Sequence, residues 1–167
     1  MSDYDPKDLI EVEPIDKKEE LLEFLKPYNP VVHTRADEGY NHLDLDLECI
    51  SVINDNGDVM DIELDGYWNF YFRGGHTHYW SYQSGWEELL EDLDLIFANK
   101  LAMISYHVNG EWKGSGFLDS TDDNRDYILN NFVEGLNYGK KLKKGDNLVS
   151  KVRYWDIKDD KDYTFQF

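Results

Sequence analysis

Hydrophobic and polar positions recur with two different periods along this chain, and the changes of period mark its elements. Leu43, Leu45, Leu47 and Cys49 fall on one side of an extended segment, with Asp44, Asp46 and Glu48 on the other. A period of two is that of a half-buried strand, so the pattern predicts a strand over 43–53. Asn54-Asp55-Asn56-Gly57 reads as a turn, because Asn and Gly tolerate positive φ. Met60, Ile62 and Leu64 then alternate with Asp61, Glu63 and Asp65 in a second strand over 58–65. With Asn56-Gly57 as a two-residue turn, Ile53 faces Met60, Ser51 faces Ile62, Cys49 faces Leu64 and Glu48 faces Asp65. Two further strands are expected at Tyr67–Arg73 and His76–Tyr82, joined through Gly74-Gly75, which completes a four-stranded antiparallel meander.

Elsewhere the period is helical. Trp86, Leu89, Leu90, Leu93, Ile96 and Phe97 predict a helix over Trp86–Asn99, with Ser84 and Glu87 as a capping box. Asp16 is the expected cap of an earlier helix that carries Leu21, Leu22, Phe24 and Leu25 and ends at Lys26-Pro27. A third helix, about Asp123 to Leu136, follows a cap at Asp119 or Ser120. Val31–Thr34 reads as a short strand, and 36–42 as a polar loop. Asn109-Gly110 is the strongest hairpin signal and joins 101–108 to 111–118. Val149–Trp155 and Tyr163–Phe167 read as closing strands, and residues 1–15 as an irregular arm. The expected fold is a single α+β domain over 1–167: an antiparallel sheet, a meander of about four strands plus further strands, packed with about three helices.

Composition narrows the function. Aromatics make up 15% of the 167 residues, which excludes a disordered acidic chain. One cysteine excludes a disulfide framework and a Cys-based zinc ribbon. The chain shows no membrane-length apolar run and no secretory h-region, so a cytoplasmic protein without membrane contact is expected. The net charge is −18, from 35 acids and 17 bases. Residues 36–99 hold fifteen acids and one base, Arg73, whereas 100–167 hold eleven of each. Such a field repels nucleic acid and speeds association with a basic protein.

The candidate chemistry concentrates in that middle segment. The expected outer face of the acidic hairpin carries Asp44, Asp46, Glu48, Asp61, Glu63 and Asp65, with like charges opposed and no base among them. Opposed like charges destabilise a strand pair, so their retention points to a basic partner outside the chain. Tyr67, Trp68, Tyr71, Tyr79 and Trp80 are the nearest aromatic anchors. His76 and His78 share a strand face and could bind one metal ion if a third ligand came from elsewhere; an aromatic strand with hydrogen-bonded histidines is the simpler reading. The 54–58 loop lacks the acidic first position of an EF-hand. No phosphate loop or nucleophile elbow is present, and Cys49 is placed in the core, so no catalytic residue and no cofactor are expected.

An aromatic strand with a histidine pair (Tyr71 to Trp80), an amphipathic helix, and a strand pair carrying Asn109-Gly110 and Trp112 follow one another over 67–118. In this order, and in size and acidity, the chain resembles bacterial immunity proteins that neutralise polymorphic or contact-dependent toxins. The resemblance implies stoichiometric binding of a basic toxin domain, for which a nuclease would fit, rather than catalysis. A metal-binding protein or metal-dependent enzyme built on His76 and His78 is the alternative. A DNA-mimic inhibitor is a second, against which the neutral C-terminal third argues.

Overall fold

A computed structural model describes residues 14–167. The expected arm at 1–15 lies almost entirely outside the described residues. Nine strands and three α-helices are present among them, and the chain is α+β as expected. The elements are α1 (Lys18–Leu25), β1 (Val31–Thr34), β2 (Glu48–Ile53), β3 (Val59–Leu64), β4 (Tyr67–Phe72), β5 (Gly75–Trp80), α2 (Gln83–Phe97), β6 (Leu101–Val108), β7 (Glu111–Asp119), α3 (Arg125–Asn130), β8 (Asn147–Arg153) and β9 (Lys161–Gln166). They form two antiparallel sheets, ordered β1-β2-β3-β4-β5 and β7-β6-β8-β9. Among the described residues no helix is long and apolar enough to cross a membrane.

The first sheet buries Ile50, Val52, Met60, Ile62, Trp68, Phe70, Phe72 and Tyr79 against Leu21 and Leu25 of α1 and Trp86, Leu89, Leu93 and Ile96 of α2. The second sheet packs against α3 and the π-helical turn at Asn131–Gly135, through Ile128 and Phe132. Strand β6 serves both cores. Leu101 and Met103 enter the first, and Ala102, Ile104, Tyr106 and Val108 the second. Burial on both faces explains why LAMISYHV is an almost unbroken apolar run.

Several expected boundaries move. Residues 43–47 are not a strand: Leu43 donates to the Tyr40 carbonyl (3.0 Å) and Leu47 to that of Asp44 (3.1 Å), in successive turns. Leu45 is 81% exposed. The neighbouring strand ends the ladder, since β1 has four residues and pairs only as far as Glu48. The hairpin register also slips by one: Ile53 pairs with Val59, Ser51 with Asp61 and Cys49 with Glu63. The cause is Asn54, whose buried side chain accepts from the amides of Asn56 (3.0 Å) and Asp58 (2.8 Å) and builds a longer turn than Asn56-Gly57 alone. Ser84 caps nothing, because α2 begins at Gln83 after Tyr82. The β4–β5 turn residues are Arg73 and Gly74, both at positive φ, and Gly75 is already in the strand. The third helix is capped by Asn124, which accepts from the Tyr127 amide (3.0 Å), while Asp119 caps a preceding 3₁₀ turn.

The Asn109-Gly110 hairpin is as expected, with φ of 52° and 85°. Gly110→Val is expected to lower stability by about 1–3 kcal/mol, since a β-branched residue is strained at positive φ. Urea unfolding checks this, with Gly110→Asn as the tolerated control; a Val variant as stable as the control would contradict it.

Candidate functional site

The observed register decides which side chains share the outer face of the first sheet. Across the strands run His33, Cys49, Glu63, Asn69 and His78, and beside them Val31, Ser51, Asp61, Tyr71 and His76. Tyr67 and Trp80 pair at one end. The face divides into a closed polar half and an open aromatic half.

The polar half is occupied by the chain itself. The hydroxyls of Tyr40 (3.0 Å) and Ser51 both donate to Asp61 Oδ1. The Tyr40 ring stacks on His33 at 4.0 Å. His42 Nε2 lies 2.9 Å from Glu63 Oε1. Asn69 donates to the other Glu63 oxygen (3.4 Å) and accepts from His78 Nδ1 (2.6 Å). The 35–47 loop thus ties down over β2 and β3, and Cys49 is buried beneath it. Burial, then the Asp61 charge, pushes the Cys49 thiol up to about 12, so it stays protonated and unreactive. Cys49 therefore lies on the outer face of its strand, not the core face, because of the register slip.

The six expected acidic contacts are dispersed. Asp44 and Asp46 are exposed in the turns before β2. Glu48 is paired with Lys18 at 2.8 Å. Asp61 and Glu63 are engaged as described, and neither opposes another acid: Asp61 lies between Ser51 and Tyr71, and Glu63 between Cys49 and Asn69. Asp65 is exposed and accepts from the Gly66 amide (2.5 Å). The opposed like charges expected across the hairpin are absent, because the one-residue slip sets Glu48 against Leu64, Glu63 against Cys49 and Asp61 against Ser51.

Two of the five aromatics are core. Trp68 meets Trp86 edge-on at 5.8 Å, and the Tyr79 hydroxyl donates to Asp92 at 2.7 Å. Burial and the Asp92 charge push the Tyr79 phenol up. The other three are exposed: Trp80 by 52%, Tyr67 by 48% and Tyr71 by 37%. Tyr67 lies 4.8 Å from Trp80, which stacks on Tyr82 at 5.6 Å. Tyr71 adjoins His76 at 5.9 Å, and His76 stacks on the exposed Trp112 at 5.8 Å. Trp112 reaches this row because β5 and β7 are joined edge to edge, the His76 amide donating to Ser115 Oγ at 3.1 Å. The His76 and His78 rings are 5.3 Å apart, on one face as expected. Among the described residues no group of three or more His, Cys, Asp or Glu side chains is arranged to hold a metal ion.

Further exposed acids lie on α2. Glu87, Glu88, Glu91 and Asp94 line the exposed side of α2, and none forms a salt bridge among the described residues. Arg73, the single base of the segment, is held by Asp160 (2.5 Å) and Asp58 (3.4 Å). No protein-family model, curated protein or solved structure matches this chain.

Proposed function

We propose that the protein is an acidic binding protein that neutralises a basic toxin domain by stoichiometric association, as an immunity protein does. One observation carries the reading: half-exposed aromatic rings, Tyr67 and Trp80 first among them, stand in a segment whose fifteen acids face one base, itself consumed by Asp58 and Asp160. Exposed aromatic rings are the side chains that most often anchor an interface, and an uncompensated acidic surround selects a basic partner. The rings are the anchors, and the acids of α2 with Asp65 are the steering charges. Tyr71, His76 and Trp112 extend the same surface.

The steering role is tested by reversing Asp65, Glu87, Glu88 and Glu91 to lysine. All four are exposed, so the fold should be retained. The association rate with the cognate basic partner is expected to fall about tenfold or more at low salt, and to converge with the wild-type rate at high salt. Stopped-flow mixing at two salt concentrations measures it. An unchanged rate at low salt would leave these acids a solubility role alone.

A further inference from the structure

Away from the aromatic face, a pocket of about 430 Å³ opens between the β2–β3 turn, the end of α2 and the segment after β8. Its lining is Asp55, Asn56, Phe97, Trp155, Asp156 and Ile157. The Phe97 and Trp155 rings form two walls, their centroids 5.0 Å apart and their planes at 82°. Tyr28 braces both from behind, stacked on Phe97 at 3.8 Å and edge-on to Trp155 at 6.1 Å.

The pocket is preformed. The Trp155 carbonyl accepts from Asn54 Nδ2 (3.0 Å), the same residue that shapes the 54–58 turn. On the other side, Asn99 accepts from the Asp156 amide (2.8 Å) and donates to Asp159 (2.6 Å). The two turns that carry Asp55 and Asp156 are therefore each pinned by a buried or half-buried asparagine. The unpaired charge at the pocket is acidic. Helix α2 ends at Phe97 with no basic residue in its last turn, so its negative dipole end is uncompensated there. Asp55 forms no ion pair among the described residues. Two cations oppose this acidic charge: Lys158, bound to Asp156 at 2.7 Å on an exposed side chain, and Arg73, engaged by Asp58 at 3.4 Å and by the Tyr154 carbonyl at 3.4 Å.

We infer that this pocket takes an arginine side chain of the basic partner. Aromatic walls and carboxylates together recognise organic cations. A guanidinium suits them better than an ammonium, since it stacks flat on a ring while its edge donates to carboxylate. Lys158 competes for Asp156. The inference rests on the reading of the chain as a binder of a basic protein, but it concerns a different part of the surface.

The test uses the whole chain with ¹⁵N-labelled tryptophan indoles, titrated with N-acetylarginine amide and with its neutral isostere N-acetylcitrulline amide. The Trp155 indole, assigned with Trp155→Phe, should shift saturably with the arginine compound and not with the citrulline compound. Asp55→Asn should weaken the response about fivefold, and Lys158→Gln should strengthen it. Equal responses to both compounds, no saturable shift at Trp155, or indifference to both substitutions would overturn the pocket. Titration with the basic partner separates the two readings. A partner that binds without displacing the arginine compound removes this pocket from the interface. A pocket that takes arginine in a chain that binds no basic protein removes the functional reading instead.

Discussion

Replacing Gly85 by alanine should destabilise the protein by about 3 kcal/mol, the upper end of the range for Gly110→Val. Gly85 lies in the first turn of α2, where the helix crosses the end of β5. A Cβ built there would overlap the backbone carbonyl of Trp80. Its φ is not positive, so the glycine is required for close approach and not for its conformational range. The obstacle is backbone, which cannot rotate aside as a side chain can. Relief requires α2 to lift from the sheet, loosening Trp86, Leu89 and Leu93 from the first core. The same shift would displace Trp80, so the alanine variant should weaken partner binding as well as folding. Denaturant unfolding measures the first effect. Ser84→Ala is the control, expected within about 0.5 kcal/mol of wild type because Ser84 makes no cap. A Gly85→Ala protein as stable as that control would show that the helix can move away at little cost.

The elements that could be read from the chain are those whose signal is local. The apolar spacing of α2 and the Asn109-Gly110 turn each specify themselves within a few residues, and both stand where expected. The alternation of Leu and Asp over 43–47 is equally clean, yet it makes no strand. Periodicity reports which side chains could share a face, not whether a partner strand extends far enough to pair. The hairpin register depended on the side chain of Asn54, which supplies the contacts that lengthen the turn. A slip of one residue exchanges the faces of one strand against the other, so the longer turn puts Cys49 and Ser51 on the outer face, where Asp61 and Glu63 stand as expected. The same slip sets Glu48 opposite Leu64 instead of Asp65 and so removes the opposed acids. Trp68, Tyr79 and Trp80 lie close in sequence, but only their place in the register separates the two core rings from the exposed one. Trp112 belongs beside His76 through the contact of two sheets, which no local pattern encodes.

Truncating the exposed rings tests a different kinetic step from reversing the charges. Trp80→Ala combined with Tyr67→Ala is expected to weaken association with the basic partner by about 2–4 kcal/mol, roughly 30- to 1,000-fold. Most of the loss should appear in the dissociation rate, because short-range anchors act after encounter while the acids of α2 act before it. The variant should fold normally, since each ring is about half exposed and its main ring contacts are the tilted contact between them and the stack of Trp80 on Tyr82. Tyr71→Ala alone should have a smaller effect, its ring being less exposed. Substituting phenylalanine at Tyr67 should retain most of the affinity, which separates the ring from its hydroxyl. Surface plasmon resonance with the partner immobilised resolves the two rates. If the double alanine variant dissociates at the wild-type rate while remaining folded, the aromatic row is not the anchor. The Phe97–Trp155 pocket would remain as a separate candidate, which the arginine titration tests independently.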